Sequence, residues 1–170
     1  MRTLAFIMLA VVTLTACAQK SPVDKFIKKQ SKADYIQMKE IEVNSKEFVA
    51  EMKLEGKDVE EILAQIDMIR IITTDSTATE SDKADFIAKA QDALDDDRYT
   101  ELAVVKSDGD DVGLYTYPME DGKIREMVVL VGGDDNAMMV CLTGRLDMST
   151  ALSSELFSGM LGGKKGKDCD

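Results

Sequence analysis

Residues Ile124 to Thr143 read IREMVVLVGGDDNAMMVCLT, and this stretch decides the fold. Two apolar runs of strand length, Met127–Val131 and Ala137–Leu142, flank the segment Gly132–Asn136. Glycine, aspartate and asparagine favour tight turns, so the pattern predicts a β-hairpin. Because both faces of each strand are largely apolar, we expect the hairpin to lie centrally in a sheet that is at least partly covered.

From Tyr99 onward the apolar residues recur with a period of two, which is typical of strands. The connections between successive runs are short and carry turn chemistry, so the strands are expected to form an antiparallel meander. The four predicted strands are Tyr99–Lys106, Val112–Tyr117, Lys123–Val131 and Ala137–Arg145.

The first half of the chain mixes helical and strand patterns. Strands are predicted over Asp34–Val43 and Met68–Thr74, and Asp24 is predicted to cap the first helix. The whole pattern predicts one α+β domain: a mostly antiparallel sheet ending in a four-strand meander, with helices mainly on one face. The predicted helices are Lys25–Gln30, Lys46–Leu54, Val59–Gln65, Ser81–Asp95 and Thr150–Phe157.

The N-terminal segment has the composition of an export signal. Arg2 precedes the apolar run Leu4–Leu14, which is too short to span a bilayer stably. The run leads into Leu14-Thr15-Ala16-Cys17, which resembles the lipobox of bacterial lipoproteins. That resemblance implies cleavage before Cys17, a diacylglyceryl group on its sulfur, and acylation of its amine by a fatty acid such as palmitate. An ordinary secretory signal is the alternative, since Ala16-Cys17-Ala18 also fits an A-x-A cleavage site; a cytoplasmic protein is the least favoured of the three.

The predicted organisation therefore has four parts. Residues 1–16 are a lipoprotein signal peptide, 17–23 an acylated tether, 24–157 the α+β domain, and 158–170 a disordered tail rich in glycine and lysine. In Gram-negative sorting, an aspartate after the acylated cysteine retains lipoproteins at the inner membrane. Ala18 stands there instead, so we expect the outer membrane and periplasm rather than the inner membrane.

Composition removes several functional classes. The net charge is −11, which disfavours nucleic-acid binding, and the chain has no histidine, the commonest metal ligand and general base near neutral pH. Three cysteines are too few for a disulfide scaffold. No G-x-S-x-G motif or Cys/His pair is present, so no recognisable nucleophile and no cofactor are predicted.

Five segments of the mature chain form a recognisable pattern: Val23–Lys29, Asp67–Ile72, Ile124–Val131, Gly133–Asp135 and Leu142–Asp147. This pattern resembles the family named domain of unknown function 4252. The resemblance covers Val23 to Leu156 and includes the lipobox. It implies a small Gram-negative envelope lipoprotein without an assigned activity, and it supplies no catalytic residues to transfer.

Three acidic clusters are weak candidates for a metal site. Asp134 and Asp135 resemble the metal-binding turn of RNA-dependent polymerases and the start of the GGDEF signature. The chain is too short for a polymerase, however, and turn chemistry explains both residues. Asp108–Asp111 lacks the ligand spacing of a calcium loop, and Asp95–Asp97 is better explained as a solvated helix end.

The remaining cysteines lie in different surroundings. Cys141 falls inside a predicted strand and is expected to pack as a small hydrophobic side chain. Cys169 follows Lys164, Lys165 and Lys167, which favour its thiolate. Pairing of Cys141 with Cys169, bonding of Cys169 to another molecule, and a free tail thiol all remain open, with the free thiol favoured.

The sequence thus predicts a non-enzymatic protein of the cell envelope, held to the outer membrane through Cys17 and serving as a binding or accessory module for an unidentified envelope protein. One alternative is a small metal-assisted hydrolase using Asp134 and Asp135. The other is a redox or stress role through Cys169.

Overall fold

The computed structural model describes residues 20–43, 63–107 and 110–151. Within these ranges the chain forms one six-stranded antiparallel sheet with helices packed against it, which confirms the predicted α+β domain. The predicted signal peptide, Cys17, the helix Lys46–Leu54, most of Val59–Gln65, the tail and Cys169 lie outside the described residues.

Three helices are described: α1 (Pro22–Gln30), α2 (Glu80–Leu94) and the short α3 (Met148–Ala151). The predicted cap Asp24 is wrong, because the N-cap of α1 is Ser21 and Asp24 stands at the third helical position. The Ser21 hydroxyl accepts a hydrogen bond from the Asp24 amide at 3.0 Å, and the Asp24 carboxylate accepts one from the Ser21 amide at 3.1 Å. This capping box supplies acceptors for two amides that have no partner within the helix. Helix α1 therefore begins at Pro22, inside the segment 17–23 that was predicted to be a tether.

Helix α2 begins in the same way, with Thr79 as N-cap and Asp82 completing a capping box. No helix within the described ranges is long and apolar enough to cross a membrane.

The six strands lie in the spatial order β1-β2-β6-β5-β4-β3, and every neighbouring pair is antiparallel. Strands β5 and β6 occupy the middle of the sheet, which confirms the central position predicted for the hairpin. The strands are β1 (Ile36–Glu42), β2 (Ile66–Thr74), β3 (Thr100–Ser107), β4 (Asp110–Pro118), β5 (Ile124–Gly133) and β6 (Ala137–Leu146).

Both faces of the central strands carry buried apolar side chains. On the first face, α1 and α2 meet through Phe26 and Phe86, whose rings contact edge to face at 5.3 Å between centroids. Strand residues such as Met139 complete this core, which excludes water from the helix–sheet interface. The second face has its own buried cluster, including Met127 and Leu142, so the two-sided apolar pattern of the hairpin corresponds to burial on both sides.

The glycines of the hairpin precede the turn, and the Gly133 amide closes it by donating a hydrogen bond to the Asn136 carbonyl at 3.0 Å. Gly132 and Gly133 belong to β5, and the turn consists of Asp134, Asp135 and Asn136. A Cβ atom on Gly132 would lie 3.3 Å from the Ile87 side chain of α2. The missing side chain therefore lets α2 approach the sheet closely, a role that the turn interpretation had not included.

Candidate functional site

The predicted candidates Asp134 and Asp135 lie at the exposed tip of the β5–β6 hairpin. The ammonium group of Lys83 donates a hydrogen bond to the backbone carbonyl of Asp134 at 2.6 Å, which ties the turn to α2. In the part of the chain that the structure describes, no three histidine, cysteine, aspartate or glutamate side chains converge on a point. The arrangement stabilises a turn and brings no third ligand to the two carboxylates.

The other acidic clusters have cationic neighbours. Arg98 donates two hydrogen bonds to the Asp96 carboxylate, at 2.6 and 3.0 Å, and these bonds lower the pKa of Asp96 to about 2. Asp111 lies 3.7 Å from the ammonium group of Lys106. Of the predicted calcium segment Asp108–Asp111, the first two residues lie outside the described ranges.

A set of polar side chains lies beneath the N-terminus of α1, where an apolar core would be expected. We call Asp24, Arg70, Tyr99, Glu126 and Cys141 the α1 polar cluster. Arg70 projects from β2 and forms an ion pair with Asp24 of α1. Its other terminal nitrogen donates to the Cys141 sulfur of β6 at 3.6 Å. One guanidinium group therefore joins the helix to two neighbouring strands.

The second half of the cluster is the hydrogen bond from the Tyr99 hydroxyl to the Glu126 carboxylate, at 2.7 Å. The Glu126 side chain is 2% exposed, so the tyrosine hydroxyl replaces water that burial removes. Burial and this hydrogen bond raise the pKa of Tyr99, which stays protonated as the donor. Arg125 lies over the ring of Tyr117 at 5.4 Å, close to the same carboxylate.

The protonation of Cys141 decides what chemistry the cluster can perform. Cys141 is a free thiol with no exposed surface, and burial raises its pKa to about 12. The nucleophilic form of cysteine is the thiolate, so Cys141 is unreactive at neutral pH despite its arginine neighbour. Cys141 packs within the core of the first face, and the cluster holds α1 on the sheet.

Sequence reasoning missed Arg70 and Glu126, although a signal was present. Each is a charged residue on the strand face that also carries buried apolar residues such as Ile72 and Val128. A buried charge is costly unless it is paired, so such positions indicate a partner elsewhere in the chain. The partners, Asp24 and Tyr99, belong to distant segments and could not be identified from periodicity.

Three openings lie on this side of the described residues, and one of them, of about 640 Å³, is lined by Asp95, Asp96 and Asp97 at the end of α2. A cleft of about 360 Å³ reaches the polar cluster between Asp24, Arg70 and Glu126. A larger groove of about 740 Å³ runs between α2 and the β4–β3 edge of the sheet, and we call it the α2–β3 groove. Its lining includes both charge signs, an aromatic ring and aliphatic side chains: Lys83, Ile87, Glu101, Val104, Lys106 and Tyr115.

Comparison with known proteins relates the chain to one family. A family model described as a domain of unknown function (DUF4252) matches residues 38–151, most of the described fold. A search of curated proteins found no match, and a search of solved structures found none.

Proposed function

Since the chain belongs to the DUF4252 family, whose function is unknown, we propose that it is a lipid-anchored envelope protein acting as a non-enzymatic binding or accessory module. One observation carries this proposal: the lipobox-like cysteine, Cys17, stands four residues before Ser21, the buried cap of α1. The proposed anchor and the folded domain are thus nearly contiguous.

The short separation has a geometric consequence. Four residues span at most about 14 Å, since an extended chain covers roughly 3.3–3.6 Å per residue. Acyl chains on Cys17 would bind the membrane with about 0.8 kcal/mol per buried methylene, so they need no help from the acidic protein surface. Ala18 after the cysteine supports the outer membrane as the location. The α1 end of the domain would then face the bilayer.

The α2–β3 groove is the surface that we assign to the partner. Its lining combines a tyrosine ring and aliphatic side chains, which suit the core of a protein interface, with lysine and glutamate side chains of the kind found at an interface rim. The described lining contains neither a cysteine nor a serine nucleophile with a base beside it. It does contain Asp134 and other carboxylates, but no three of the described acidic side chains converge on a point that could hold a metal ion. The lining of the groove therefore supports a role in binding another protein better than a role in hydrolysis.

The two alternatives have less support from the described residues. The hydrolase alternative needs Asp134 and Asp135 to face a third ligand, whereas both are exposed at a hairpin tip. The redox alternative depends on Cys169, which lies outside the described ranges.

Replacement of Cys17 by alanine is expected to release the protein from membranes, because the acyl acceptor is lost. Partitioning of the full chain between detergent and aqueous phases measures this directly, and labelling with palmitate gives a second readout. Cys169→Ser is the matched control and should leave both unchanged. Unaltered detergent partitioning of Cys17→Ala would contradict the anchor.

A photo-crosslinking residue at Ala84, an exposed position in the groove lining, is expected to yield a reproducible adduct with another envelope protein in intact cells. The same residue at Lys28, exposed on α1 and outside the groove, is the control and should yield less of that adduct. Equal adducts from both positions, or none from Ala84, would contradict the groove as the partner's site.

A further inference from the structure

We propose that β3 pairs antiparallel with β3 of a second copy of this chain, about a two-fold axis at Val104. Strand β3 ends the sheet, and no described strand lies beyond its outer edge. Val104 is 43% exposed and Val105 is 59% exposed, and they point to opposite faces. An edge with apolar side chains on both faces is a template for a further strand.

The register of β3 against β4 contains an irregularity that matters for this pairing. Glu101 lies opposite Tyr115 and Ala103 lies opposite Leu114, so Leu102 is an extra residue. In a regular strand, Glu101 and Lys106 would face opposite sides of the sheet, because they are separated by an odd number of positions. The bulge reverses this relation. Glu101, Val104 and Lys106 all line the α2–β3 groove, on one face.

The bulge makes the edge complementary to itself. A two-fold axis perpendicular to the sheet keeps each face of the sheet on its own side. Residues that lie opposite one another across the axis therefore point their side chains to the same face. With the axis at Val104, that residue meets its own copy, and Ala103 meets Val105 of the second copy. Allowing for the extra residue, Glu101 then lies opposite Lys106 of the second copy, twice by symmetry. Opposite charges directly across a strand pair are stabilising.

The opposite edge of the sheet does not offer the same match. Strand β1 pairs with β2 without a register shift. Its basic residue Lys39 faces the side opposite to Glu40 and Glu42, so no two-fold register brings the lysine against either glutamate. Charges and bulges on an edge strand usually prevent aggregation through further strand pairing. On β3 they favour a dimer with a single register instead.

The pairing would also join two binding surfaces. Because Glu101, Val104 and Lys106 belong to the α2–β3 groove, the grooves of the two copies would adjoin across the axis. This inference rests on the β3 register alone and does not depend on the lipid anchor or on a partner in the groove.

Cysteine crosslinking of the full chain in its membrane tests the register. Val104→Cys is expected to form a disulfide-linked dimer under mild oxidation, because the two cysteines would face each other on the axis. Val105→Cys is the matched control: it lies opposite Ala103 of the second copy and should crosslink much less. Both are made with Cys169→Ser to remove the tail thiol. Equal crosslinking of the two variants, or none of Val104→Cys, would overturn the proposed register.

Charge exchange gives an independent measurement on the purified full chain in detergent. Glu101→Lys and Lys106→Glu each place like charges opposite one another twice. Each variant should therefore raise the dissociation constant of the dimer by about tenfold, as measured by sedimentation. The double exchange, Glu101→Lys with Lys106→Glu, should recover most of the lost affinity; the remainder reflects the contact of Lys106 with Asp111 of the same chain. A wild-type monomer at all concentrations, or a dimer insensitive to both single changes, would contradict the proposal.

Discussion

Replacement of Arg70 by methionine is expected to lower the free energy of unfolding by about 3 kcal/mol, as measured by urea denaturation. Methionine fills much of the same volume but leaves the Asp24 carboxylate without its cation. Removing one partner of a largely buried ion pair costs roughly 3–5 kcal/mol. The lower end applies here because the Asp24 side chain keeps 26% of its surface in contact with water.

The matched control is Asp24→Asn, which keeps an oxygen for the Ser21 amide but removes the charge. If the ion pair carries the effect, adding Asp24→Asn to Arg70→Met should recover part of the lost stability. Losses that simply add would show instead that Arg70 acts through packing alone.

The same pair gives stability a dependence on pH. Burial raises the pKa of Asp24, but the Arg70 hydrogen bond and charge, together with bonds from Ser21, lower it below its usual 3.8. A carboxyl with a lowered pKa in the folded state stabilises that state above the unfolded pKa. Its contribution disappears as the pH falls through the folded value. We therefore expect a smaller loss of stability below about pH 4 in Asp24→Asn than in wild type.

Replacement of Gly144 by alanine is expected to be at least as disruptive, with a loss of about 3 kcal/mol or more. A Cβ atom at this position of β6 would lie 2.1 Å from the backbone carbonyl oxygen of Gln65 and 3.0 Å from the Ile66 Cα. Both are backbone atoms, so no rotamer change relieves the overlap and β2 must move. The Arg145 amide, which donates to that same carbonyl at 2.9 Å, would lose its partner.

Gly132→Ala is the control for that experiment. The atom nearest to its new Cβ is the end of the Ile87 side chain at 3.3 Å, and this side chain can rotate. We expect a change below about 1 kcal/mol in urea denaturation. A similar cost for both alanine variants would contradict close backbone approach as the cause, because strand propensity by itself favours alanine over glycine.

The sequence predicted the elements whose own residues carry the information. The two-sided apolar pattern of Met127–Val131 and Ala137–Leu142 corresponds to strands in the middle of the sheet. The helix predicted over Ser81–Asp95 corresponds to α2, which buries Phe86, Ala90 and Leu94 along one face. In each case the local apolar periodicity agrees with the observed burial, so the element could be predicted from its own residues alone.

Features that depend on two distant segments were not predictable in this way. The wrong cap of α1 is a local error, because Pro22 at the first helical position places the cap at Ser21 rather than at the predicted Asp24. The bulge at Leu102 appears only through its register with β4. The α1 polar cluster depends on contacts such as that between Arg70 and Asp24, which are 46 positions apart.

The strand order also determines how the chain must assemble. Strands β3 to β6 each pair with their neighbour in sequence through short connections, so this unit closes small loops and can form early. The β2–β6 junction joins residues such as Met68 and Thr143, 75 positions apart. Closing that large loop has a high entropic cost, and β6 leaves the ribosome after all of its partners. We therefore expect the β2–β6 junction, which lies beside the polar cluster, to form late in folding.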